Sequence, residues 1–372
     1  MSEAVTPPRP RRRDALALAV ATVALTIAAA MVLFSTFMFY DDEGYVLHSL
    51  KDFAEGGGLY REVYTQYGPL PFVLYSALHA IGVPLTHLTG RLITLAAWAG
   101  TAVACAMLVG TVTRSVIART AALAAAFVFL WVMASEPAHP GGLIVFATAL
   151  LALLGYRAIE GGNNSRWAWL AGAGAAALLL TKINTGAFAA FSAAAWLLLH
   201  HGDERMRRAA PWLVGAAGVA LPLALMRPLL GTEWVQIYAL QFALAAVAVT
   251  LVLAASATGR TGWRDIWRGV AGAGLVAIVA IGAVVARGTG PGEFVEGFLL
   301  GPLRHPVNFN LRFLWPAGSA ALAAGSLALC AAALVLRRNH AGPIDAAIAL
   351  LRLLAAIALA IDLSLYPAVN PG

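Results

Sequence analysis

The residues able to do chemistry are bunched in one short stretch. Asp41, Asp42 and Glu43 follow directly on the first apolar run, and Asp52, Glu55 and Glu62 come soon after, six of the eighteen carboxylates in the chain. A carboxylate at a partly apolar surface works as a general base once its pKa rises towards the working pH. Asp41 and Asp42 could also hold a divalent cation, since oxygen ligands suit magnesium, calcium or manganese. The plainer alternative is that such acids only mark a helix end at a membrane interface. Their adjacency, and the structured stretch that follows, favour chemistry. Asp41, Tyr45, His48 and Asp52 recur at helical spacing and would share one face. Gly56-Gly57-Gly58 ends that helix, because glycine takes the left-handed conformation without penalty.

Cations that could meet such acids lie far away in sequence. Lys182, one of only two lysines, sits in Thr181-Lys182-Ile183-Asn184-Thr185-Gly186 between two short apolar runs. An ammonium group there either anchors a helix end by snorkelling or binds phosphate, with Asn184 as a secondary polar contact. The stretch 287–315 brings Arg287, Arg304, His305 and Arg312 together, with Asn308 and Asn310 between them. Arginine's planar fork matches phosphate oxygens in pairs; contact with anionic lipid headgroups is the alternative. Glu136-Pro137-Ala138-His139-Pro140 sets an acid near a histidine. A proline-stiffened turn accounts for that pattern too, and Glu136 and His139 rank as secondary candidates for acceptor contact. The two cysteines, Cys105 and Cys330, lie in apolar runs and make neither a disulfide framework nor a metal pattern.

These groups must be positioned by membrane helices. The 372-residue chain is 60% hydrophobic and 12% charged, with a mean hydropathy of +0.78, far from the soluble range in which about a quarter of residues carry charge. Apolar runs of spanning length recur, which makes the class an all-α polytopic membrane protein. About eleven transmembrane helices are expected, near 15–40, 91–111, 120–135, 142–158, 167–181, 186–200, 209–226, 236–256, 269–286, 316–336 and 345–366. The 167–181 and 186–200 pair is short, which is tolerated where helices line a protein cavity. Residues 69–88 are apolar but broken by Pro69, Pro71, Gly82 and Pro84, and read as an interfacial helix. The Ala-Gly-Ala-Gly runs at 171–174 and 271–274 read as small-residue packing surfaces.

Charge orients the bundle. Arg9, Arg11, Arg12 and Arg13 precede the first span and hold the N-terminal tail, 1–13, in the cytoplasm. With eleven spans, sixteen basic residues face the cytoplasm and eight face out; counting 69–88 as a crossing would reverse that bias. The single transmembrane domain then covers 14–366, with a long first extracytoplasmic loop at 41–90, a basic outer loop at 287–315 and an outer tail at 367–372. The net charge of +7 follows from these loop arginines and does not point to nucleic acid. The excess of arginine over lysine, with abundant alanine and glycine, suggests GC-rich coding and a bacterial source.

The Asp-Glu pair after the first span resembles the GT-C superfamily of membrane glycosyltransferases. The nearest likeness is to the dolichyl-phosphate-mannose protein mannosyltransferase and aminoarabinose transferase relatives. It continues through Gly58-Leu59-Tyr60, Tyr67-Gly68-Pro69-Leu70 and Arg91, covering residues 14–200 by motif and the remainder by hydropathy. The resemblance implies a first-loop aspartate as catalytic base and a polyprenyl-phosphate sugar as donor. Asp42, which precedes Glu43, matches that aspartate best, while the doubled Asp41 leaves the choice open between the two. Thr181-Lys182 is similar to a Thr-Lys pair at this place in related transferases.

The expected function is transfer of a sugar from the lipid carrier to a lipid, glycan or protein acceptor outside the plasma membrane. Asp42, Asp41 and Glu43 would be the catalytic acids. Lys182, Arg304, His305, Arg312, Arg287, Arg91, Tyr45 and His48 would bind the substrate or its lipid phosphate. No cofactor is required by this reading, although a divalent cation on Asp41 and Asp42 fits it. A multi-pass transporter or lipid flippase is the rival; it would favour ionisable groups near the bilayer midplane and two repeated halves, for which only Arg352 and Asp362 speak. A non-catalytic subunit that binds the lipid carrier is the third option.

Overall fold

A computed structural model describes residues 12–37, 42–225, 227–254 and 261–301. Among these, every extended element is a helix. In chain order they are α1 (Arg12–Ser35), α2 (Asp42–Ala54), α3 (Pro69–Ala80), α4 (His87–Val112), α5 (Val116–Leu130) and α6 (Gly141–Glu160). They continue with α7 (Asn164–Leu179), α8 (Ile183–Leu199), α9 (Glu204–Leu225), α10 (Glu233–Ala254), α11 (Trp263–Val285) and α12 (Pro291–Phe294), the last running into a π-helical turn, Val295–Leu300. Five of them, α1, α4, α5 with its 3₁₀ extension, α6 and α11, are long and apolar enough to cross a membrane. The architecture is that of an all-α polytopic membrane protein. The expected spans 316–336 and 345–366 lie outside the described residues.

Two boundaries moved, each for a local reason. The apolar stretch 69–88 is helical only to Ala80; Gly82, at φ 92°, ends it. A 12-residue helix reaches about 18 Å, well short of the roughly 30 Å hydrocarbon core, so α3 does not cross. The second span begins at His87 and not Arg91, because Thr86 caps α4 through reciprocal bonds with Thr89. α7 and α8 are short, at 16 and 17 residues, as expected.

The chain divides into two compact units, one of residues 1–48 and 82–153, the other of 49–81 and 154–372. In the first, α1, α4 and α5 close on a core of Ala29, Leu33, Trp98, Ala102, Leu123 and Phe127, all fully buried. In the second, α7 packs along α11 and against α8. Ser165 at the start of α7 donates to Asp265 at the start of α11 at 2.9 Å, and Leu180, just past α7, shares a buried cluster with Ala280 near the end of α11. The two helices therefore run parallel. Their close approach depends on the small-residue runs: a Cβ on Gly172 would lie 1.9 Å from the Gly269 carbonyl oxygen, and one on Gly272 would lie 2.4 Å from that of Trp169.

Candidate functional site

α2 carries the acids. It begins at Asp42 and buries Val46, Leu47, Leu50 and Phe53, while Tyr45, His48 and Asp52 lie on its more open side. Asp41 and the side chain of Asp42 lie outside the described residues. Glu43 points inward and is 6% exposed. Arg91 Nε donates to both of its carboxylate oxygens, at 3.0 and 3.2 Å, and Arg91 Nη2 donates to Oε2 at 2.7 Å. The remaining terminal nitrogen of Arg91 donates to the Leu33 carbonyl at 2.7 Å, and its guanidinium lies over the Phe37 ring. His87 Nδ1 approaches Glu43 Oε2 at 3.3 Å from the exposed side. Glu43 and Arg91, expected among the catalytic acids and the phosphate ligands, are thus engaged with each other. In the first unit they tie the start of α2 to α1 and α4.

Glu136 and His139 occupy the turn before α6, with Oε2 and Nε2 3.9 Å apart. The turn is held from within. His139 Nδ1 accepts from the Gly141 N–H, and the Ala138 N–H donates to Thr94 Oγ1 at 3.0 Å. This is the stiffened turn that its two prolines foretold.

In the second unit, the glycine-rich stretch after α2 folds back on itself. Gly56 takes φ 116° and closes the helix as expected. The Glu62 carboxylate accepts from the Gly58 N–H at 2.9 Å and from Arg61 at 2.7 Å; these two donors hold its pKa below the usual carboxylate value. Arg61 Nη1 donates to the Gly288 carbonyl at 3.2 Å, and Thr289 Oγ1 donates to the Leu59 carbonyl at 2.9 Å.

The Tyr67-Gly68-Pro69-Leu70 motif meets the α7–α8 turn through backbone. The Gly68 N–H donates to the Thr181 carbonyl at 2.9 Å and the Leu70 N–H to the Leu180 carbonyl at 2.8 Å. Only glycine fits at position 68, where a Cβ would stand 2.2 Å from the Leu180 oxygen. Lys182 follows as the N-cap residue of α8, with an extended backbone at φ −148°. Its ammonium group therefore belongs to a turn seated directly on the first-loop motif. The first backbone N–H groups of α8 supply further partial positive charge beside it. Asn184 falls in that first turn.

Arg287 ends α11. It donates to the Phe53 carbonyl and, at 2.7 Å, to Ser76 Oγ, and its guanidinium lies 4.4 Å from the centre of the Phe53 ring. It braces the end of α2 and α3 against the segment after α11. Arg304, His305 and Arg312 lie outside the described residues. No group of three histidine, cysteine, aspartate or glutamate side chains gathers at one point among the described residues, and Asp41 and the Asp42 carboxylate are not among those. Sequence reasoning passed over Ser76, Thr289 and the π-helical turn; none carries a local signal, since each is recruited by a partner more than two hundred residues away or by packing.

No curated protein and no solved structure matches the chain. One family model does, that of dolichyl-phosphate-mannose-protein mannosyltransferase, over residues 68–230. The matched stretch opens at Gly68 and takes in Arg91, the Glu136–His139 turn and Lys182; Asp41 and Asp42 precede it. This is a family of membrane glycosyltransferases that draw on a lipid-linked sugar. Over that segment the chain is similar to the dolichyl-phosphate-mannose-protein mannosyltransferase family.

Proposed function

We propose that this protein transfers a sugar from a polyprenyl-phosphate donor to an acceptor on the outer face of the membrane, with inversion at the anomeric carbon. In this reading Asp42, or its neighbour Asp41, takes the proton of the acceptor hydroxyl. The acceptor oxygen then bonds to the anomeric carbon as the bond from that carbon to the phosphate oxygen breaks. Polyprenyl phosphate leaves with the added negative charge, and Lys182 stabilises it, aided by the start of α8 and by Arg304, His305 and Arg312. Stabilising charge where it develops is often the largest single catalytic contribution.

The observation that carries the proposal is the pairing of the Gly68-Pro69-Leu70 backbone with Leu180-Thr181. It joins the first-loop motif to the turn between α7 and α8 that carries Lys182. Glu43 and Arg91 hold the frame that carries Asp42, and Arg287 holds the other end of α2.

The test is sugar transfer in membranes from a radiolabelled polyprenyl-phosphate sugar. Losing a general base costs about 10²–10⁴-fold, so Asp42→Asn, or the Asp41→Asn/Asp42→Asn pair if the two substitute for one another, should lose at least a hundredfold in kcat. Lys182→Met should weaken donor use with acceptor KM unchanged. Full transfer by the double aspartate variant would sink the base assignment. Movement of the lipid across the bilayer without any glycoside product would favour the transporter reading.

A further inference from the structure

Tyr60 is held under several independent constraints that the proposed chemistry does not use. It is a non-glycine residue at φ 65°, a conformation that L side chains rarely adopt and that persists only where the surroundings over-determine it. Its ring meets Phe294 edge-on at 5.7 Å. It packs with Leu70, Leu180, Ile281 and Phe298 in one cluster. Gly297 closes over it: a Cβ there would stand 2.4 Å from the ring. Gly297 lies in the π-helical turn Val295–Leu300, and such turns concentrate at functional places in helices. The phenol oxygen donates to the Tyr67 carbonyl at 2.9 Å, and burial pushes its pKa well above the usual tyrosine value, so the hydroxyl keeps its proton and remains a donor.

Tyr67 adjoins Gly68, whose N–H bonds to Thr181, the residue before Lys182. A continuous path of contacts thus runs from the π-helical turn through the Tyr60 ring and hydroxyl to the Tyr67–Gly68 peptide and the Lys182 turn. We propose that Tyr60 is a positioning residue: clamped by the π-helical turn at Gly297, it fixes the Tyr67–Gly68 peptide and so sets the Lys182 turn for recognition of a lipid phosphate. The inference rests on the phosphate role assigned to Lys182 above. It adds that the segment after α11 controls that role through one aromatic ring.

Two variants separate the ring from the hydroxyl. Tyr60→Phe keeps the ring and the packing but removes the bond to Tyr67; Gly297→Ala keeps the bond's atoms but displaces the ring. Both are purified in detergent beside wild type and tested in two ways. Amide hydrogen exchange of Gly68 and Leu70 reads the seat itself and needs no ligand. Binding of undecaprenyl phosphate, followed by tryptophan fluorescence, reads the consequence, and kinetics add the split between donor KM and kcat.

Exchange at Gly68 and Leu70 should quicken in both variants. The net worth of one buried hydrogen bond corresponds to about a fivefold change in equilibrium, so undecaprenyl phosphate affinity and donor kcat/KM should each fall about fivefold in Tyr60→Phe. Unchanged exchange at both amides in both variants overturns the positioning role. Faster exchange with unchanged undecaprenyl phosphate affinity overturns the link to phosphate recognition. A wild-type protein that fails to bind undecaprenyl phosphate sinks the phosphate reading of Lys182, and the exchange data still decide whether Tyr60 sets that turn.

Discussion

Glu43 and Arg91 show how far a residue's neighbours can redirect its use. Read alone, each is a candidate for chemistry. Buried together with three charge-assisted hydrogen bonds, each satisfies the other. Removing one partner of a buried ion pair strands the other, at a cost of about 3–5 kcal/mol. Glu43→Gln should therefore lower the thermal unfolding temperature in detergent by several degrees, and Arg91→Met alone should do the same. The combined Glu43→Leu/Arg91→Met protein should recover much of the loss, because replacing both members with apolar groups removes the stranded charge. A combined loss as large as the sum of the two single losses would mean that the pair is not coupled.

Glu62 gives a residue-scale prediction in pH. Its folded pKa lies below the ordinary value of 4.5, so its contribution to the Gly58–Glu62 turn is fully present above that value. That contribution is lost as pH falls through the lower, folded value. Carbon-detected NMR titration should place the Glu62 midpoint below the ordinary glutamate value, and Glu62→Gln should remove the pH dependence of Gly58 amide exchange in that window. The acids and Lys182 were legible as candidates from type and position alone. The Glu43–Arg91 pairing was not, because nothing local links residues forty-eight positions apart.

At the scale of elements, the interface between α7 and α11 is set by backbone approach. Gly172 and Gly272 each leave no room for a side chain, and overpacking a tight contact costs about 1–3 kcal/mol or more. Gly172→Val should separate these helices and destabilise the protein by at least that much, measured as a shift in unfolding temperature, whereas Gly274→Val, where a Cβ meets open space, should be tolerated. The small-residue runs announced this contact in sequence, since Ala-Gly-Ala-Gly has few other uses inside a helix. Helix ends were less legible. The start of α4 is polar, with His87, Thr89 and Arg91, so an apolar run finds its start too late. α3 was drawn too long because apolar residues continue past the glycine that stops it. The π-helical turn and the left-handed Tyr60 arise only from tertiary packing.

At the scale of the molecule, the second unit has two chemically different ends. At one, Leu180–Lys182, Leu59–Leu70 and Arg287–Thr289 meet; at the other, Ser165, Asp265 and Arg268 are bonded together, and His200–Gly202 pairs with Thr261. The sequence-based topology assigns the first end to the outside and the second to the cytoplasm. In a background with Cys105 and Cys330 replaced by serine, a membrane-impermeant maleimide should label Glu62→Cys on intact cells. Glu204→Cys should react only after permeabilisation. The opposite pattern would invert the bundle and remove the outer-face reading of the site.

The Glu43–Arg91 pair also bears on biogenesis. The arginine lies in the second turn of a hydrophobic segment, and its carboxylate partner is synthesised well before it. A nascent α4 leaving the translocon alone would carry an uncompensated cation towards lipid, so α1 and the start of α2 must wait nearby until α4 arrives. Insertion of the first unit is thereby made a joint event, and chains lacking Glu43 should accumulate as protease-sensitive, partly inserted species before any question of catalysis arises.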